Sequence, residues 1–220
     1  MHKFAAVAMS VFAVTIAALV AVTLAQPSAS APANEVVVKG ISGLAVTFDG
    51  HVSKLEYADA THSTFPNGHG TVDVFTKCQD GFLYFAFQIP DLSPFEGDDI
   101  VIMLDTANAR KAAPDEADIR AYVRRKMENS RAQQGDGKKW ADTYGDWEYR
   151  SALYPNGWEV EARIPLKSLK IATAAAKPAV MGLAFRIWDN KPQGNSNWPV
   201  GSNENKPDTW GTLQLQLGPS

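Results

Sequence analysis

Thr71-Val72-Asp73-Val74-Phe75-Thr76-Lys77-Cys78, then Gln79-Asp80-Gly81, then Phe82-Leu83-Tyr84-Phe85-Ala86-Phe87-Gln88, is the stretch on which the fold turns. Two runs rich in β-branched and aromatic residues flank an Asp-Gly pair. Asp-Gly readily takes the positive φ angles of a tight turn, so the stretch reads as a β-hairpin. Further along, Trp147 to Leu153 and Trp158 to Ile164 flank Tyr154-Pro155-Asn156-Gly157, a second hairpin. In its return strand Trp158, Val160, Ala162 and Ile164 alternate with Glu159, Glu161 and Arg163. A period of two puts the first set in the core and the second towards solvent. Val36 to Val38, Ile100 to Leu104, Met181 to Trp188 and Thr212 to Leu217 add further short runs. Many short strands divided by turns predict a sandwich or a barrel, and the fold expected is all-β, an antiparallel β-sandwich of jelly-roll or immunoglobulin-like kind.

One segment carries two patterns. In Pro114 to Gln134, the spacing of Ile119, Tyr122, Val123 and Met127 suits one face of a helix. Ala117, Ile119, Ala121 and Val123 also alternate with Asp118, Arg120, Tyr122 and Arg124, as in a strand. The local pattern leans to a helix over Arg124 to Ala132, and Gln133 to Lys139 reads as a polar loop.

The chain has 220 residues, 45% of them hydrophobic, which suffices for a single core. Its net charge is −3 with no basic block, so nucleic acid is not an expected partner. Met1-His2-Lys3 is a short basic start, and Phe4 to Ala25 is apolar or small throughout. This predicts a secretory signal peptide over residues 1–25, with cleavage as late as residue 33. Localisation is then secreted, periplasmic or in the cell envelope. A membrane contact arises only if the segment stays uncleaved as an anchor. Residues 26–34, rich in Pro, Ala and Ser, read as a disordered leader. The sandwich then occupies residues 35–217. Cys78 is the only cysteine, so the domain has no internal disulfide, and a lone Cys in a strand reads as a small buried hydrophobe. CxxC, HExxH, Walker and GxSxG motifs are absent, and the expectation is a protein without catalytic activity.

Five segments in order carry a family likeness: Phe48-Asp49-Gly50 with Glu56-Tyr57; Val72 to Asp91; Pro94 to Asp105; Gly157-Trp158-Glu159-Val160-Glu161 with Ile164-Pro165 and Leu169; and Pro207 to Leu213. On these the chain resembles the family 9 carbohydrate-binding modules and their broader relatives with the DOMON-type sandwich. The resemblance covers nearly all of the part after the leader. It implies a carbohydrate partner, with a terminal sugar held between two aromatic rings. Phe95 and Trp198 are the matching rings, each in a polar loop that gives it no periodic reason to be buried. Arg120 matches the arginine that contacts the sugar, provided its segment is a strand. Asp189 and Asn197 are further polar candidates, and Trp140 is a third loop aromatic. Trp158, Trp188 and Trp210 lie in or beside strands and read as core. Two departures stand out: Val101 where the family carries a glutamate, and Phe95 where it carries a tryptophan.

Glu96, Asp98, Asp99 and Asp105 form an oxygen-rich run that suits calcium, a cation found in relatives, and Asp98, Asp99 and Asp105 are the candidate ligands. A solvated acidic loop is the plainer alternative. Relatives of the same sandwich also carry haem b, and Met103 would then be an axial ligand. A third reading is an envelope protein-interaction domain with a degenerate sugar site.

Overall fold

The computed structural model describes residues 34–93, 95–141, 145–171 and 177–218. The expected signal peptide lies outside these residues, as does all but the last residue of the leader. Thirteen strands form two sheets. They are β1 (Glu35–Lys39), β2 (Thr61–Asn67), β3 (Gly70–Gln79), β4 (Phe82–Pro90), β5 (Asp99–Asp105), β6 (Asp118–Arg124) and β7 (Arg131–Gly135). Then follow β8 (Trp140–Ala141), β9 (Glu148–Tyr154), β10 (Gly157–Pro165), β11 (Ala179–Asn190), β12 (Gln193–Trp198) and β13 (Gly211–Gln216). One sheet runs β2-β3-β4-β10-β9. The larger runs β1-β13-β11-β5-β6-β7-β8, with β12 also paired to β11. Every ladder is antiparallel except β1–β13, which is parallel. Among the described residues no helix is long and apolar enough to cross a membrane.

Alternation builds the core. β4 turns Leu83, Phe85, Phe87 and Ile89 inward, and β10 turns Trp158, Val160, Ala162 and Ile164 inward. The larger sheet answers with Ile100, Ile102, Leu104, Leu183, Phe185 and Ile187. Phe185 sits at the centre, its ring 5.1 Å from Phe87, 5.4 Å from Trp198 and 5.9 Å from Phe85. Face-to-face packing of two such sheets makes a sandwich. Cys78 is fully buried in this core, and burial pushes its thiol up to about 12.

Two expectations are corrected here. The helix over Arg124 to Ala132 does not form; the segment is the turn between β6 and β7, closed by the Ser130 N–H donating to the Met127 carbonyl. Glu159 and Glu161 do point away from the core, but they are buried rather than solvated. The segment 40–60 lies over that face of the smaller sheet and supplies their partners. Glu161 accepts hydrogen bonds from the N–H groups of Asp49 and Gly50 and from the Tyr57 hydroxyl, at 2.6–2.9 Å. Lys77, equally buried, donates to the carbonyls of Leu44 and Glu56 and to Asp59.

Candidate functional site

The outer face of the larger sheet is covered only in part, where Trp210 and Trp140 pack with Val101, Met103 and Ala184. Register sets its side chains in rows about 6.8 Å apart. The first row holds Trp188, Asp99 and Arg124. The second holds Asn197, Arg186, Val101, Tyr122 and Arg131. The third holds Ala184, Met103, Arg120 and Gln133.

At the first two rows the face opens into a cleft of ≈ 670 Å³, lined among others by Phe95, Asp99, Tyr122, Arg124, Arg186 and Trp188. Phe95 is 45% exposed, and its ring meets Trp188 edge to face at 6.3 Å. Local chemistry fixes that ring. Asp98 accepts the Phe95 N–H at 2.8 Å and the Asn190 N–H at 3.0 Å, tying the loop to the end of β11. Gly97 makes room, since a Cβ there would lie 2.5 Å from the Phe95 ring.

The floor is polar. The Tyr122 hydroxyl donates to Asp99 Oδ2 at 2.6 Å, and Arg186 Nη2 donates to Asp99 Oδ1 at 2.8 Å. Burial raises the Asp99 carboxyl above its usual range, although Arg186, Tyr122 and Arg124 all pull it down. Arg186 also approaches Glu204 at 2.8 Å and donates to Asn195 at 3.1 Å. Three guanidinium groups surround the Tyr122 ring: Arg131 at 4.8 Å, Arg124 at 5.7 Å and Arg186 at 5.8 Å. Arg120 is only 7% exposed, lies 4.4 Å over Trp140 and donates to Gln133 at 2.7 Å. Burial lowers its pKa to about 10; Glu204 opposes this, while Arg186 and Arg131 add to it. Trp140 in turn stacks on Trp210, their planes 8° apart.

The structure therefore brings Phe95, Arg120, Asn197 and Trp140 to one face, and it removes Trp198 and Asp189 from it. Trp198 is 6% exposed and packs on Phe185 in the core. The reason is that residues 193–198 are a strand, not a loop, and alternation turns Trp198 inward opposite Phe185. The same alternation turns Asp189 inward, where burial lifts its carboxyl to about 6 and His69 partly opposes the rise. Trp188, one residue earlier on β11, faces the cleft instead of the core. The signal was present in the sequence: Trp188 shares parity with Arg186, whereas Phe185 and Ile187 have the parity of the core. The calcium candidates do not converge either. Asp99 is held by Tyr122 and Arg186, Asp98 by the backbone of Phe95 and Asn190, and Asp105 accepts the N–H groups of Ala107 and Arg110. Among the described residues no group of three His, Cys, Asp or Glu side chains is placed to hold a metal ion. Met103 is buried with Val101, Ala184 and Trp210, so its thioether has no open approach in this conformation.

A family model described as "Carbohydrate family 9 binding domain-like" matches residues 78–217. Two similar solved structures are a family 9 carbohydrate-binding module from Caldicellulosiruptor kristjanssonii, one in complex with glucose and one with cellotriose. Each is 17% identical with a TM-score of 0.59. The match covers 85% of this chain and 97% or 95% of theirs, a likeness of fold. No curated protein matches the chain.

Proposed function

The chain belongs to the carbohydrate family 9 binding domain-like family, and from that premise we propose that it is an exported, non-catalytic domain that binds a sugar in the cleft lined by Phe95 and Trp188. The observation that carries this reading is the exposed Phe95 ring set against Trp188 directly above a floor of Tyr122, Asp99 and Arg186. A pyranose presents an apolar C–H face that lies on an aromatic ring, while its hydroxyls need partners once they leave water. Rings on the wall and a hydrogen-bonding floor supply both. Asn197, beside Arg186, adds a donor and an acceptor at the cleft's edge. The family is one of binding modules, which supports a role without chemistry. The basic start and the apolar run before residue 26 support export.

The test is a titration of the purified chain with cello- and xylo-oligosaccharides, following tryptophan fluorescence, after recording an absorption spectrum. A fluorescence change that saturates and is lost in Trp188→Ala is expected. A Soret band would transfer the case to haem. A flat response to every saccharide would leave the reading without support and favour an interaction domain.

A further inference from the structure

The charge on the cleft's floor points to the class of sugar, on the reading that the cleft binds one. Three guanidinium groups on β6 and β11, from Arg120, Arg124 and Arg186, share this face with two carboxylates, Asp99 and Glu204. Arg186 approaches both of them, at 2.8 Å each, but its Nε and the Glu204 Oε2 it faces are buried without a hydrogen bond. Arg120 Nη1 is 3.8 Å from Glu204, too far for a hydrogen bond, and Nη1 is buried without a hydrogen-bond partner. Arg124 lines the cleft, and its buried Nε also lacks one. The residue between Arg186 and Tyr122 in the row is Val101, fully buried, which offers nothing to a guanidinium. At the rim one lysine, Lys126, faces two carboxylates, Glu96 at 3.3 Å and Glu128 at 3.8 Å, so the rim itself is net acidic. These rim charges are exposed and therefore screened. At the far end of the face, Asp105 and the Oδ2 of Asp118 accept backbone N–H groups, while the Asp118 Oδ1 is buried without a partner. The cleft thus has rings for a pyranose face and a donor surplus for an anion.

We propose that the cleft takes an acidic oligosaccharide, one whose pyranose rings carry carboxylates: a ring lies against Phe95 and Trp188 with its carboxylate on Arg124, and the chain runs on over Tyr122. A planar carboxylate fits the guanidinium fork, which a neutral hydroxymethyl group does not. Arg120, four residues away on the same face of β6 and about 13 Å distant, is buried against Trp140 and adds its charge to the field of the cleft rather than a contact.

The experiment compares matched pairs by calorimetric titration of the full chain. One pair is cellotriose and tri-β-1,4-glucuronate, the same backbone with each hydroxymethyl group replaced by a carboxylate. The other is α-1,4-galactotriose and tri-α-1,4-galacturonate. The expected result is that the uronate of at least one pair binds about tenfold more tightly than its neutral partner, the effect of one charge-assisted hydrogen bond. That preference should shrink at high salt and in Arg124→Gln, and survive in part in Arg124→Lys, which keeps the charge but not the fork. Binding of the neutral sugars as tightly as the uronates in both pairs overturns the acidic specificity and leaves sugar binding standing. Binding of none of the four overturns both.

Discussion

The outer faces of the two sheets hold similar residues and treat them differently. On the smaller sheet Glu161, Glu159 and Lys77 are buried beneath the segment 40–60, which meets them with its own N–H groups, carbonyls and side chains. On the larger sheet Asp99 is as deeply set and Arg186 is partly buried, but both line an open cleft, and donors are left over. A buried charge with its partners in the same chain is structure; one with donors to spare at an open cleft awaits something from outside. That difference separates a covered face from a binding face more sharply than aromatic content does, since both faces carry rings.

The contrast can be broken in graded steps. The largest effect is expected from Trp198→Ala, which empties a core position beside Phe185. Chemical denaturation should show a loss of about 4 kcal/mol. If that variant instead keeps its stability and loses sugar binding, the inward placement of Trp198 is wrong. Next comes Glu161→Ala on the covered face, which strands two backbone donors and a tyrosine hydroxyl. About 3 kcal/mol should disappear from the unfolding free energy, as expected when one partner of a buried charged network is removed. Trp188→Ala on the open face should do the reverse: little change in melting temperature, but sugar affinity weaker by about 2 kcal/mol, or roughly thirtyfold. Equal damage from Trp188→Ala and Glu161→Ala in a melting experiment would erase the distinction between the faces.

The smallest effect concerns pH. Burial pushes the Asp118 carboxyl up to about 7 and that of Asp189 to about 6, with neighbouring carboxylates adding to each. In the unfolded chain an aspartate titrates near 3.9. Between those values the folded chain holds protons that the unfolded chain has released. Proton binding therefore favours folding there, and the stability from these two groups falls as pH rises from about 4 to 7. Asp118→Asn, which keeps the shape without the charge, should gain about 1 kcal/mol at pH 8 and close to nothing at pH 4 in paired denaturation curves.

Much of this was legible in the sequence. The 71–88 hairpin and the alternation in Trp158 to Ile164 register as expected, because each strand carries a strong period of two next to a turn with its own chemistry. What escaped was polar or shared. β2, Thr61–Asn67, has only Phe65 deeply buried, so its period is nearly silent. β12, Gln193–Trp198, is made of loop-like residues and is a strand because the second half of β11 offers it an open edge. Treating it as a loop misplaced Trp198, since a loop imposes no parity while a strand does. The helical spacing near Arg124 failed for a similar reason: Met127 reaches the core from a turn, not from a helix face. Trp188 could have been found by counting parity along β11. The surplus of guanidinium donors could not, because it depends on which partners the sheet brings across.

The parallel ladder between β1 and β13 also determines how the domain resists being stretched. Glu35 lies opposite Thr212 and Lys39 opposite Gln216, so the two strands point the same way. The chain therefore enters this strand pair at one end and leaves it at the other. A pull applied through the two ends would slide one strand along the other and load all the ladder's hydrogen bonds together, whereas an antiparallel pair at the same place would be peeled apart one bond at a time. Force carried through the domain from one end of this pair to the other is therefore borne in shear.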